Sequence, residues 1–212
     1  MSLIICAKDI GLTEVCSMGT IDAISHGCVT AAAVFLNMPG TEYALQKLSE
    51  TPWVSLIWQV SDTGRNPLQS GQEELLEYEV LNCIRIYGKA PCAALIESDT
   101  LAKPARKICE KYGIAHDWLG KDIIPVAQSS VGLGFDNFPQ YDPEEQFFSF
   151  DSSNGIYFIS THPGFLDDIS MAATLDTDYS VHRLADQRLL CSDDFRKKLL
   201  SRHELISPDD AL

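Results

Sequence analysis

The sequence LIICAKDIG, residues 3–11, begins with an unbroken apolar run and continues into a lysine and an aspartate. Continuous apolar runs are typical of strands that are buried on both faces, as in parallel sheets. Residues 3–7 are therefore predicted to form a buried strand, with Asp9 at its carboxyl end. An aspartate in this place can act as a general base or bind a cation. It can equally accept hydrogen bonds from nearby backbone N–H groups or pair with Lys8.

Strands and helices alternate from this run onward. Apolar runs predict further strands at residues 29–36, 54–60, 93–96, 123–126 and 156–160. Amphipathic segments predict helices at residues 13–26, 41–50, 72–87, 103–112 and 180–203. Residues 129–143 are expected to be irregular. This order indicates parallel strands with right-handed crossovers, so we expect an α/β fold, either a doubly wound open sheet or a barrel of the TIM kind. The length suits a single domain over residues 1–212.

Four polar residues are expected to meet at one end of this sheet. Asp9, Asn37, Glu97 and His162 each follow a predicted strand, and functional residues collect where parallel strands end. Glu97 is accompanied by Asp99, and such a pair can bind a divalent cation or simply begin a solvated loop. His162 lies in a tight turn, where it can transfer a proton near neutral pH or serve as a hydrogen-bonded turn residue.

Charge and cysteine content exclude several function classes. The 212 residues include 30 acidic and 16 basic side chains, and the formal net charge of −14 repels nucleic acids and anionic membranes. No apolar run approaches the ~20 residues of a membrane span, and no basic leader is present. The seven cysteines stand singly, so disulfides and zinc fingers are not expected. We expect a cytoplasmic protein without nucleic-acid or membrane partners.

Five short motifs follow one another in a specific order. They read CAKDIGLT at residues 6–13, GCVT at 27–30, NMP at 37–39, YGKAP at 87–91 and THPG at 161–164. In this order they resemble the motifs NADDFGLS, VTS, NMP, TGRKP and CHPG of the YdjC-like carbohydrate deacetylases, the family that includes the chitooligosaccharide deacetylases. Tyr179, Arg183 and Asp186 fall where that family has tyrosine, arginine and glutamate. The resemblance covers nearly the whole chain.

This resemblance implies a distorted TIM-like (β/α) barrel that hydrolyses the N-acetyl group of an amino sugar or oligosaccharide. In the family, an aspartate and two histidines hold a divalent metal such as zinc or magnesium, and a carboxylate activates a metal-bound water. Asp9 matches the metal-binding aspartate, and His162 is implied as its catalytic companion. Asn37 and Arg183 are implied as substrate-binding residues, with a small saccharide as the ligand.

The metal site departs from the family pattern. Lys8 stands where the family has a second aspartate, and Ile57 replaces the first histidine. The strand of the second histidine corresponds to AALIESD at residues 93–99, which contains none and leaves Glu97 as a weak substitute. Isoleucine has no lone pair to donate, and a lysine beside Asp9 repels a cation. We therefore expect a divergent member that lacks both histidine ligands and binds no metal.

Two functions stay open for such a chain. The first is a hydrolase of the family, with His162 as general acid and Asp9 as the remaining ligand or base. The second is a catalytically silent protein with the same fold that binds a saccharide or a partner subunit. The chain is also compatible with a homodimer. Metal-free hydrolysis by His162 with a carboxylate is a weaker third option. Ile57 and Trp58 are expected to close the pocket that holds metal in relatives.

Overall fold

The computed structural model describes residues 1–65, 70–120, 122–126, 142–148, 155–174 and 177–212, with backbone alone for residues 172–174, 177–179 and 181. Its strands are β1 (Ser2–Ile10), β2 (Ala31–Val34), β3 (Ser55–Val60), β4 (Ala93–Ile96), β5 (Ile123–Pro125), β6 (Ile156–Thr161) and β7 (Glu204–Leu205). Its α-helices are α1 (Glu14–Ser25), α2 (Thr41–Ser49), α3 (Gln72–Tyr87), α4 (Asp99–Tyr112), α5 (Asp168–Thr174), α6 (Thr177–Leu190), α7 (Asp193–Leu200) and α8 (Pro208–Ala211). No helix within these ranges has both the length and the apolar character that crossing a membrane requires.

The strands form one parallel sheet in the order β4-β3-β2-β1-β6-β5, with β7 beside the start of β1. The sheet curls into a half-barrel with helices around it. The segment after α4 links its two edges, because Ala115 bridges to Ala93 of β4 and Leu119 bridges to Ile123 of β5. The prediction of a distorted TIM-like α/β fold is thereby confirmed.

Alternation along the strands separates two apolar layers. One layer lies inside the curl and includes Ile4, Cys6, Ile57 and Phe158. The other lies between the sheet and the helices and includes Trp58, which is fully buried there. Because neighbouring side chains of a strand point to opposite faces, Trp58 cannot share the inner pocket with Ile57. The expectation that both residues close that pocket is wrong for Trp58.

Helix boundaries differ from the prediction mainly where a serine caps a helix. α4 begins at Asp99 rather than at residue 103, because the Ser98 side chain accepts a hydrogen bond from the Leu101 N–H. The predicted helix over residues 180–203 is divided, because Ser192 ends one segment and caps α7. The predicted strand over residues 29–36 is shorter in the structure, where β2 covers Ala31–Val34. Most of the expected irregular segment at residues 129–143 lies outside the described residues.

Candidate functional site

Asp9 lies on a bulge at the carboxyl end of β1. The register between β1 and β2 shifts between Ala7 and Ile10, and Asp9 adopts a φ of 60° in the left-handed region. Few residues other than glycine adopt this conformation, although aspartate is among those that tolerate it. The Asp9 carbonyl accepts a hydrogen bond from the Leu12 N–H, at 3.4 Å. The bulge turns the Asp9 side chain toward the strand ends.

Gln59 at the end of β3 joins two carboxylates. Its Oε1 accepts a hydrogen bond from the Asp9 backbone N–H at 2.8 Å, and its Nε2 donates to Asp9 Oδ1 at 2.8 Å and to Glu97 Oε2 at 2.9 Å. The residue is only 2% exposed. Both N–H donors and one of the two lone pairs of this amide are directed at the two acidic residues, so Gln59 fixes them relative to each other.

Lys8 places an ammonium group within the same network. Its Nζ forms an ion pair with Glu97 Oε1, and the Lys8 side chain is 16% exposed against 35% for Glu97. Burial opposes the charged form, but the attraction of Glu97, aided by Asp9, outweighs it and raises the pKa of Lys8 above its ordinary value. Lys8 is therefore a fixed cation at the mouth of the half-barrel and not a neutral amine.

His162 directly follows β6, which lies beside β1 on the edge away from β2 and β3. Its Nε2 lies 3.7 Å from Asp9 Oδ2, and its backbone N–H donates to Asp186 Oδ2 at 2.7 Å. Burial lowers the pKa of His162 to about 4, Asp9 opposes this shift, and Lys8 and Arg183 add to it. The ring is therefore neutral at neutral pH. It is a resting base or hydrogen-bonding group rather than the protonated general acid that the sequence suggested.

The lowered pKa predicts that the protein loses stability in mild acid. The unfolded ring titrates near 6.5 and the folded ring near 4, so between these values only the unfolded state binds the proton. We expect the free energy of unfolding to fall by about 2 kcal/mol from pH 7 to pH 5 through this group. Urea unfolding at both pH values should show a smaller loss for His162→Asn. Equal losses in both proteins would contradict the expectation.

The residues at this site do not fit a divalent metal. Asp9 contributes one carboxylate, but the second carboxylate, Glu97, is already paired with the Lys8 ammonium. Ile57, which lies fully buried inside the curl, offers no lone pair. A cation here would have to displace or stand beside a charged lysine, which costs electrostatic energy in a partly buried place. Zinc and magnesium both prefer donor sets without such a competitor.

The remaining predicted residues occupy different places. Asn37 lies at the same end of the sheet, where its side-chain amide donates to the Thr63 carbonyl at 3.1 Å. Arg183 on α6 is fully buried, and a Cβ added to Gly164 would meet its Cζ at 3.4 Å, so it stands behind the His162 turn. Asp99 is in the exposed first turn of α4, apart from the carboxylate network. The side chain of Tyr179 lies outside the described residues.

Gln59 is the site residue that the sequence reasoning missed. The spacing in the sequence could have identified it, because Gln59 is two positions after Ile57 and therefore lies on the same face of β3. A glutamine between the apolar residues Trp58 and Val60 breaks an otherwise apolar strand. A buried amide in such a run needs polar partners, and these had to come from neighbouring strands.

Comparison with known proteins supports the fold. No model of a known protein family matches this sequence. Among solved structures, the chain resembles a protein of Enterococcus faecalis V583 whose description as a cellobiose-phosphate cleavage protein is provisional. The TM-score is 0.69 at 16% sequence identity, and the alignment covers 99% of this chain and 98% of that chain. At this identity the likeness establishes a shared fold, and substrate and activity have to be argued from the site.

Proposed function

We propose that this protein is a divergent relative of the YdjC-like carbohydrate deacetylases that binds a saccharide without metal-dependent hydrolysis. The observation that carries the proposal is the Lys8–Glu97 ion pair, tied to Asp9 through Gln59. The network places an ammonium group where the resemblance implies a carboxylate. The five ordered motifs and the half-barrel favour the family, and this ion pair argues against its metal chemistry.

The charge of the site favours a neutral sugar. Asp9 and Glu97 are acidic, Lys8 and Arg183 are basic, and the whole chain has a net charge of −14. Carboxylates accept hydrogen bonds from sugar hydroxyls, and a partly exposed Glu97 is available for this at the rim. The description of the structural neighbour names the cleavage of cellobiose-phosphate, which is a phosphorylated disaccharide. The Lys8 ammonium is already paired with Glu97, so it is not a free partner for a phosphate. We therefore propose an uncharged, N-acetylated oligosaccharide as the ligand.

Metal-free hydrolysis is a second candidate, favoured by the geometry of His162. A neutral imidazole can accept a proton from water, and Asp9 at 3.7 Å from its Nε2 can stabilise the resulting charge. General base catalysis typically contributes about 10²–10⁴-fold, and a base with a pKa of about 4 is weaker than one that titrates near the working pH. We expect such turnover to be slow and independent of added metal, and His162→Ala would abolish it.

The proposal is tested by measuring turnover and binding in parallel. N-acetylated chito-oligosaccharides are incubated with the protein and with zinc, cobalt or magnesium, and acetate release is followed in the wild type and in His162→Ala. We expect no metal-stimulated release. Isothermal titration calorimetry with the same sugars should show binding that Glu97→Ala weakens by about tenfold or more, since a hydrogen bond to a charged group is lost.

Asp99→Ala is the matched control, because this carboxylate is two residues away and exposed on α4. It should leave sugar binding unchanged. Metal-stimulated acetate release that disappears in His162→Ala would overturn the proposal in favour of the full enzyme. Absence of binding to any N-acetylated oligosaccharide, in a protein that is folded by circular dichroism, would equally contradict it.

A further inference from the structure

A second group of potential ligands lies away from the strand ends, between α1 and α6. Asp22 and His26 are one turn apart at the end of α1, and Cys191 directly follows α6. One ligand atom from each of the three lies within 4.8 Å of the others. They offer oxygen, nitrogen and sulfur, a donor set that suits zinc. All three are at least partly accessible, so a metal ion can enter.

The polarity of the helices favours a cation at this cluster. The carboxyl ends of α1 and α6 both meet there, and each carries a partial negative charge. The last turn of α1 contains no basic residue that would neutralise it. The Arg196 guanidinium approaches Gly27, about 3.5 Å from a Cβ built there, and opposes a cation through space. The last turn of α6 also contains a basic residue, Arg188. The end of α1 and the Asp22 carboxylate are therefore the groups that favour a cation here.

Gln187 already holds two of the three side chains in place. Its Nε2 donates to Asp22 Oδ2 at 3.0 Å and lies 3.2 Å from Cys191 Sγ. The residue is 7% exposed. Its Oε1 is buried and has no hydrogen-bond partner among the residues that the structure describes. A hydrated cation beside this amide would give the oxygen a donor, and an outer amide of this kind commonly orients metal ligands.

We propose that Asp22, His26 and Cys191 bind one zinc ion that ties the end of α1 to the end of α6. In the metal-free protein the thiol donates to Asp22, 3.5 Å away. On binding, the zinc–sulfur bond replaces the S–H bond and the proton passes to the buffer. α6 carries Arg183 and Asp186, which support the His162 turn, so this metal would brace the candidate site from outside.

Zinc titration of the chelator-treated full chain tests the site. We expect one zinc per chain by calorimetry, a zinc-dependent rise in melting temperature, and a sulfur-to-cobalt charge-transfer band when cobalt replaces zinc. Cys191→Ser and Asp22→Asn should each weaken binding by about 100-fold or more, since a direct ligand is lost. Gln187→Leu should weaken it by about tenfold, as expected for a residue that only orients the ligands.

Cys92→Ser is the matched control, because Cys92 is the other cysteine that is not fully buried. It should leave zinc affinity and the cobalt band unchanged. The proposal is overturned if zinc uptake stays below one per chain. It is also overturned if Cys191→Ser binds as well as the wild type, or if the cobalt band depends on Cys92. Zinc uptake and the cobalt band are measured without sugar, so failure of this site is distinguished from failure of the saccharide site.

Discussion

Replacing Arg65 with alanine should lower the free energy of unfolding by about 3–5 kcal/mol, the loss typical of breaking a buried ion pair from one side. Arg65 Nη1 and Nη2 donate to Glu79 Oε1 and Oε2, each at 2.6 Å, and Arg65 Nε donates to the Ser61 carbonyl at 3.0 Å. The side chains of Arg65 and Glu79 are only 6% and 8% exposed. The variant leaves a carboxylate on α3 buried without its partner.

Urea denaturation of Arg65→Ala at several pH values measures the effect. Burial raises the pKa of Glu79 even though Arg65 opposes the shift, and without Arg65 the carboxyl should protonate more readily still. The deficit should therefore shrink as the pH is lowered, because the protonated carboxyl tolerates burial. The double variant Arg65→Met with Glu79→Leu should recover most of the loss.

The exposed pair of Lys47 and Glu50 provides the comparison. These groups are 3.3 Å apart but 41% and 66% exposed. Lys47→Ala should therefore change stability by no more than about 0.5 kcal/mol. A loss below about 1 kcal/mol for Arg65→Ala, or a loss independent of pH, would show that the Arg65–Glu79 pair is not the buried contact described here.

Replacing Gly19 with alanine should lower the free energy of unfolding by about 3 kcal/mol, which is in the upper part of the range for overpacking. The substitution should also displace the His162 turn. A Cβ on Gly19 would stand 2.3 Å from the Phe165 nitrogen and 2.7 Å from the Gly164 carbonyl carbon. Both atoms belong to the main chain, so no side chain can rotate away to make room. The turn is also tied to α1 by the Thr20 hydroxyl, which donates to the Pro163 carbonyl at 2.6 Å.

Two measurements test whether the added methyl group strains the contact between α1 and the His162 turn, since alanine by itself favours a helix over glycine. Urea unfolding gives the size of the effect. The control Met18→Ala, at a 45% exposed position on the same helix, should change the free energy of unfolding by no more than about 0.5 kcal/mol. The imidazole resonances of His162 should shift in Gly19→Ala and stay in place in Met18→Ala. Unchanged His162 resonances together with near-native stability would contradict the close approach of α1 to this turn.

The sequence predicted the order of the elements well, because apolar runs and amphipathic periods are local signals. It also placed Asp9, Glu97 and His162 at the ends of their strands. The connections among them were beyond its reach, since the Lys8–Glu97 pair and the Gln59 bridge depend on which strands are neighbours and in what register. The error over Ile57 and Trp58 is of a different kind, because strand alternation alone places adjacent residues in different layers.

The central position of β1 has a consequence for synthesis on the ribosome. β1 emerges before β6 and β7, yet Ser2 pairs with both Ile156 and Glu204. At about 5–20 residues per second, one edge of this apolar strand waits on the order of ten seconds for its partners. During that time β1 is open to non-native pairing with another nascent chain. We expect newly made chains to depend on chaperones that hold β1 until β6 has left the ribosome.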